Sequence, residues 1–377
     1  MNQQVQDIEN TRDFDSLREE WNALLERSSA NGVFLTWEWI RTWWTHLAER
    51  HQLSIAAIRS EGRLVGIAPL AIRPAAIKRL FLFSCGEFLG SGTAGSDYLD
   101  LIVEKGSEEA VFEALAPDLA RANRMLEFGQ LKSGSQAARF AQFLERRGWR
   151  SGTTKVGTCP LIDLHGHTWT SYLTSLSSEH RYNVKRKMNS LAKHFEVTFE
   201  RVENEIQLGP VLAVLIDLHK KRWLEHGDSD AFHTTGHEAF HREFTRLALQ
   251  RGWLRLYVLR LNGQAASAVY ALRYGTTFSF YQSGFDPQYA KQSVGLVAMA
   301  YSIKAAIEEG AEEYDFLHGT EAYKFHWANG SRDLERIQLH PPGLNGWCQQ
   351  MVLGSRRRAQ GWFRPAAVVP VVESVAR

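Results

Sequence analysis

Apolar residues recur in two rhythms along this chain, at every second position in some segments and at every third or fourth in others. The apolar runs 53–59 and 64–72, flanking Glu61-Gly62, predict a β-hairpin, because a two-residue turn with positive φ matches the twist of paired strands. A second such run, 254–260 and 264–274, surrounds Asn262-Gly263. An aromatic strand over 278–285 follows and stops at Asp286-Pro287; an apolar helix over 295–309 and a strand over 314–317 come next. Near the start, helical spacing puts Leu17, Trp21, Leu24 and Leu25 on one side of a helix over 14–27. Thr36 opens another helix, rich in tryptophan (Trp37, Trp39, Trp43, Trp44), whose rings either pack against a sheet or line an apolar pocket.

The two hairpins share more than a rhythm. Gly62 and Gly263 stand 201 positions apart, and Arg59 and Arg260 keep the same interval. Strand, helix and strand then follow each hairpin, at 98–103, 108–121 and 125–128 in the first half and at 278–285, 295–309 and 314–317 in the second. This order predicts a mixed-sheet α/β (α+β) chain made of two copies of one unit, divided near 152–163. The expected domains are 1–155, 156–345 and a tail, 346–377. The copies differ where their second helix begins. Glu104, Glu108 and Glu109 suit a helix dipole in the first copy but repel a phosphate. Lys291-Gln-Ser-Val-Gly295 carries no acid, so the free amides of that helix start favour an anion. A phosphate-bearing, nucleotide-like ligand is expected on the second half alone.

Composition narrows the class. A length of 377 residues favours two domains, and 44% hydrophobic with 23% charged residues is typical of a soluble globular protein. A net charge of +2 argues against a dedicated nucleic-acid binder. Cys85, Cys159 and Cys348 form neither a disulfide framework nor a metal-ligand spacing, and the first residues lack a signal peptide's basic and apolar regions, so the cytoplasm is the expected compartment. No apolar run reaches the ~20 residues of a membrane span. His237-Glu-Ala-Phe-His241 matches a zinc-peptidase pattern, but Phe244 stands where the extended motif has glycine; among fourteen histidines it reads as chance, and no metal is expected. The basic run 180–187 puts Arg181 and Lys185 on one helical face, suited to an acceptor's phosphate or acidic sugar. Arg356, Arg357, Arg358, Trp362, Phe363 and Arg364 make a tail that either touches an anionic membrane surface or stays mobile. No feature of the sequence sets an oligomeric state.

The element order resembles the GNAT N-acyltransferase fold. More closely, Trp37-Glu-Trp39, Gly284-Phe-Asp-Pro287, Ser293-Val-Gly295, Tyr314-Asp-Phe316 and Gly319-Thr-Glu-Ala-Tyr-Lys324 resemble the CelD/BcsL-type acetyltransferases, tandem-GNAT proteins of bacterial exopolysaccharide and cellulose gene sets. The stretch around Tyr323-Lys324 is also similar to Fem-type aminoacyltransferases. One departure is visible: Gln292-Ser-Val-Gly295-Leu-Val lacks the last small residue of the usual pyrophosphate loop. The resemblance implies two tandem GNAT-like domains, with 1–155 a degenerate scaffold and cleft wall and 156–345 the catalytic unit. It implies acetyl-CoA or another acyl-CoA as co-substrate, its phosphates on Gln292, Ser293, Val294, Gly295 and Leu296. It implies an oxyanion donor among the amides near Tyr281, Gln282 and Ser283. Tyr323 would return a proton to the leaving thiolate, or else pack as an ordinary core tyrosine. Lys324 would neutralise charge, His318 and Glu321 are the favoured bases, and Arg181, Asp286 and Asp315 would face the acceptor. The implied reaction is N- or O-acyl transfer to a small-molecule or glycan-precursor acceptor. Fem-like aminoacyl transfer from tRNA and a non-catalytic scaffold of polysaccharide assembly remain the alternatives.

Overall fold

A computed structural model describes residues 3–75, 83–224, 232, 234–344, 346–347 and 349–351. Cys348 and the basic-aromatic tail lie outside the described residues. The first half contributes strands β1 (Gln3–Ile8), β2 (Gln52–Ser60), β3 (Arg63–Arg73), β4 (Cys85–Phe88), β5 (Ile102–Val103) and β6 (Met125–Lys132). Then come β7 (Arg150–Asp163), β8 (Val197–Arg201), β9 (Leu254–Leu261), β10 (Gln264–Tyr274), β11 (Thr277–Phe285), β12 (Glu313–Asp315) and β13 (Gly330–His340). Among the described residues these form one sheet in the order β1-β2-β3-β4-β6-β13-β7-β12-β11-β10-β9-β8, with β5 beside β3.

Both hairpins form, and for the same local reason. Glu61 and Gly62 have φ of 52° and 82°, and Asn262 and Gly263 have 50° and 78°, as a two-residue left-handed turn requires. Arg59 donates to the Gly62 carbonyl at 3.1 Å and Arg260 to the Gly263 carbonyl at 3.2 Å, so the duplication extends to a side chain closing each turn. The strand order is itself two-fold: β4 runs parallel to β6 as β11 does to β12. At the centre β7 and β13 pair antiparallel from Arg150↔His340 to Leu161↔Gly330. β13, the last strand, lies against β6 of the first half, while β7 lies against β12 of the second. Each half therefore completes its sheet with a strand borrowed from the other, and β7 runs unbroken across 152–163.

Two elements differ from the sequence expectation. The segment 98–103 forms strand only at Ile102–Val103, and the place beside β3 that matches β11 is taken by Cys85–Phe88. Residues 89–101 instead form a long loop that crosses to the second half, where tertiary contacts override the strand expected from Tyr98. The helix expected over 14–27 breaks at Leu17 into Thr11–Ser16 and Arg18–Arg27, although Leu17, Trp21, Leu24 and Leu25 are all buried as the spacing required.

The tryptophan-rich helix, Trp37–His46, is packing and not a pocket wall. Trp39 meets Phe240 and Phe244 edge-on at 4.9 and 4.6 Å, joining the helix Thr235–Gln250 of the second half to the first. Beneath it, the fully buried Glu38 carboxylate accepts from Asn22 at 2.9 Å, Arg18 at 3.2 Å and Arg251 at 2.6 Å. A second core lies on the other face, where Phe278, Phe280 and Tyr314 pack under the helix Val294–Glu308. Gly284 is obligatory for this layering, because a Cβ there would collide with the backbone of Leu218 and His219.

Candidate active site

β11 and β12 pair only from Thr277↔Glu313 to Ser279↔Asp315 and then part. A bulge opposite Tyr270/Ala271 puts one extra residue, Tyr281, into β11 and shifts its alternation. The parting strands open cavities on both faces of the sheet.

On the helix-covered face lies a cavity of ≈ 230 Å³. Ser283 and Phe285 of β11 and Gly295, Leu296 and Met299 of the helix line it, and Tyr323 and Trp327 close it. It is mostly apolar, and its polar end is the start of the helix Val294–Glu308. Ser293 takes a left-handed φ of 56°, makes no side-chain cap, and no acid occupies the first turn. The amides of Val294, Gly295 and Leu296 thus have no acceptor within the helix, and the dipole adds positive potential beside them. Lys187, on the helix Ser178–His194, donates to the Lys291 carbonyl at 2.9 Å, which brings an ammonium to the same corner. In the first half the equivalent helix start is filled otherwise: Glu108 accepts from the Gly106 amide at 2.8 Å, and Glu104 pairs with Arg27 and Arg63.

Of the residues expected to hold an acyl donor, Ser283, Gly295, Leu296 and Tyr323 meet in this cavity. Val294 turns its side chain into the core, and Gln292 is half-buried with an Oε1 that has no hydrogen-bond partner. Gln282 turns its own Oε1 onto the Ser283 amide at 2.9 Å. Tyr281 lies on the opposite face among Trp39, His241 and Tyr270, and its hydroxyl donates to the Ala94 carbonyl at 2.6 Å.

The other expected residues separate into three sets. Lys324 is an internal strut: its side chain is 5% exposed, and its ammonium donates to the His318 carbonyl and pairs with Glu321, both at 3.0 Å. Glu321 and His318 are exposed, and the His318 ring lies over Gly157, where any Cβ would collide with it. Arg181 donates to the Thr174 carbonyl at 2.8 Å, and Asp286 caps Gln288 and pairs with Lys221 at 3.1 Å. Burial opposes charge on Asp286, but the Gln288 amide and the Lys221 ammonium outweigh it and hold that carboxyl below its ordinary value. Asp315 is buried beside the second cavity, accepting from Tyr98 at 2.7 Å and from the Leu317 amide at 2.8 Å. Burial raises its carboxyl to about 6.

That second cavity, ≈ 460 Å³, lies on the other face between the two halves. Its walls include Ser279, Glu313, Asp315 and Arg332 from the second half and Asp97, Tyr98 and Asp100 from the loop of the first. Arg332 is committed to Glu313 and reaches Asp315 at 3.4 Å. Asp97 and Lys187 were not singled out by the sequence reading. Lys187 ends the basic run already noted, whereas Asp97 had no local signal. His237 bonds Thr234 and Thr93, both at 2.7 Å, and His241 is enclosed by aromatic rings and held neutral by burial, its value lowered to about 3.

Residues 178–325 match a family model described as an acetyltransferase (GNAT) domain. No curated protein matches the sequence. Among solved structures, FemX is similar with a TM-score of 0.60 at 13% identity, over 88% of this chain and 97% of its own. A conserved protein of unknown function from Bacteroides thetaiotaomicron gives 0.58 at 12% identity, over 89% and 100%. The C-terminal domain of a putative lysylphosphatidylglycerol synthetase from Agrobacterium fabrum gives 0.53 at 12%, over 91% and 96%. At these identities the likeness is one of fold, and it runs through both halves. No helix among the described residues is long and apolar enough to cross a membrane. The second half thus carries a GNAT-type acetyltransferase domain, and the chain is a transferase built on a doubled GNAT fold.

Proposed function

We propose that this chain is an acyl-CoA-dependent N- or O-acyltransferase, an acetyltransferase in the first instance, acting on a sugar or polysaccharide precursor. The observation that carries this reading is the ≈ 230 Å³ apolar cavity ending on the uncapped helix start at Gly295. Three amides, the helix dipole and the nearby Lys187 suit a diphosphate, and the apolar walls suit a pantetheine arm and short acyl chain. Tyr323, in the same cavity, is the proton donor to the departing thiolate. In this reading residues 156–345 bind the donor and protonate the departing thiolate, and 1–155 form the facing wall. The resemblance to CelD/BcsL-type proteins supports an acceptor in exopolysaccharide or cellulose synthesis.

Calorimetric titration with acetyl-CoA tests the reading, with micromolar binding expected. Gly295→Glu is expected to weaken it at least about tenfold by placing a carboxylate at the phosphates, since like charge there costs roughly 1.4 kcal/mol or more. A Cβ at Gly295 meets only the Phe285 ring, at an ordinary 3.5 Å, so the fold tolerates the change. Equal binding by the variant would remove the phosphate assignment. A second reading, aminoacyl transfer from tRNA, is supported by the fold likeness to FemX, and a net charge of +2 counts against it. It predicts steeply salt-dependent tRNA binding.

A further inference from the structure

The 89–101 loop of the first half crosses the gap where β11 and β12 part. The Tyr281 hydroxyl, just beyond the last paired residue of β11, bonds Ala94 of that loop at 2.6 Å. The His318 amide, just beyond β12, donates to Asp97 Oδ2 at 2.7 Å. The loop is therefore tied to both sides of the splay, through Ala94 to β11 and through Asp97 to the segment after β12. It is 2% exposed, and its other oxygen, Oδ1, is buried without a hydrogen-bond partner at the wall of the ≈ 460 Å³ cavity. A buried carboxylate oxygen left unpaired costs free energy and calls for a compensating partner. Neighbouring cations do not bond it: Arg332 is bound to Glu313 and Asp315, and Lys324 to Glu321 and the His318 carbonyl.

We propose that this cavity between the halves is the acceptor site, that it takes a primary amine borne on a hydroxylated carrier, and that Asp97 accepts the proton the ammonium must lose. The inference deepens the acyl-transfer reading and rests on it. Four acids against Arg332 and Lys132 around the cavity favour a cation over an anion, and the Ser133, Ser135, Thr277 and Ser279 side chains suit a carrier's hydroxyls. Ser279, on the acceptor side, and Ser283, on the donor side, are four residues apart on β11, roughly 13 Å along a strand. The loop that carries Asp97 bonds Tyr281 in the stretch between them. The ammonium proton passes to Asp97 and on to solvent, the freed lone pair forms the C–N bond at the thioester carbonyl, and the C–S bond breaks with its electrons on sulfur. The second proton lost by nitrogen equals the one gained by the thiolate. Burial raises the Asp97 carboxyl to about 7, despite the opposing His318 amide, which suits a base that must exchange its proton near neutrality.

The test uses the full chain with glucosamine and glucose as probes, acetyl-CoA being titrated in parallel. Wild-type protein is expected to bind glucosamine at least about tenfold more tightly than glucose, since only the ammonium can give Asp97 Oδ1 a charge-assisted bond. Asp97→Asn is expected to erase that preference while holding acetyl-CoA affinity within about twofold, and Ser279→Phe, which fills the cavity from the other wall, to do the same. Thiol release with glucosamine should lose its rise through neutral pH in Asp97→Asn. Equal binding of the two sugars by wild type, or an unchanged preference in Asp97→Asn, overturns the proposal. If acetyl-CoA fails to bind while glucosamine binding still needs Asp97, the donor reading falls and the amine site stands.

Discussion

Replacing Asp97 by Asn should change how stability depends on pH more than it changes stability itself. The carboxyl moves from 3.8 to about 7 because it is buried, helped by the Asp315 charge and opposed by the His318 amide and the Lys324 ammonium. A folded value raised above the unfolded one means stability that is full below about 3.8 and is lost as pH rises through about 7. A shift of roughly 3 units corresponds to about 4 kcal/mol, of which roughly 2.5 kcal/mol is lost between about pH 5 and about pH 8. Asparagine has no such term. Its amide oxygen keeps the His318 bond, and the amide nitrogen left unpaired costs the same at every pH, so it cancels in the comparison. The melting temperature of the variant minus that of wild type should therefore rise by roughly 2–5 °C from about pH 5 to about pH 8. Scanning fluorimetry at constant ionic strength reads this directly. Parallel curves across the range would show that Asp97 ionises without cost in the folded protein and would refute both its burial and its role as the unsatisfied base.

Two further outcomes follow from the same geometry. Tyr323→Phe removes the hydroxyl in the donor cavity and should lower kcat by about 10–100-fold with acetyl-CoA affinity retained, measured as thiol release against calorimetry; an unchanged kcat would mean that the thiolate is protonated from elsewhere. Glu38→Gln should destabilise by about 2–4 kcal/mol, read from urea midpoints, because it leaves Arg18 and Arg251 around a neutral buried group. Burial opposes ionisation of Glu38, but Asn22 and Arg251 outweigh it and hold the carboxyl below 4.5. Its stabilisation is present above about 4.5 and lost as pH falls through the lowered value, so the loss caused by the substitution should shrink in acid.

Local chemistry made the hairpins legible: only a residue pair tolerant of positive φ, such as Asn262-Gly263, closes a two-residue turn. The contrast between the two helix starts was legible too, because an acid-free helix start after a strand is a local electrostatic fact, and the difference from Glu104 and Glu108 is written in the residues. The burial of Asp97 was not. Asp97 is an ordinary aspartate in a Gly-Ser-rich stretch, and its value depends on burial by residues some 220 positions away. Lys324 carried a local signal, but the fold spends its ammonium on Glu321 and the His318 carbonyl, a use no spacing announces.

The sequence by itself determined the repeated unit, the turns that close its hairpins, the alternation that aims Phe278 and Phe280 at one face, and the difference in charge between the two helix starts. These depend on neighbours within a few positions, so short-range sterics and the helix dipole suffice to settle them. Only the tertiary structure decided that β7 and β13 exchange halves and that the first half's loop lies across the second half's splay. Strand exchange and loop crossing are set by which apolar faces can be buried together, and burial is a property of the whole chain that no window of residues contains.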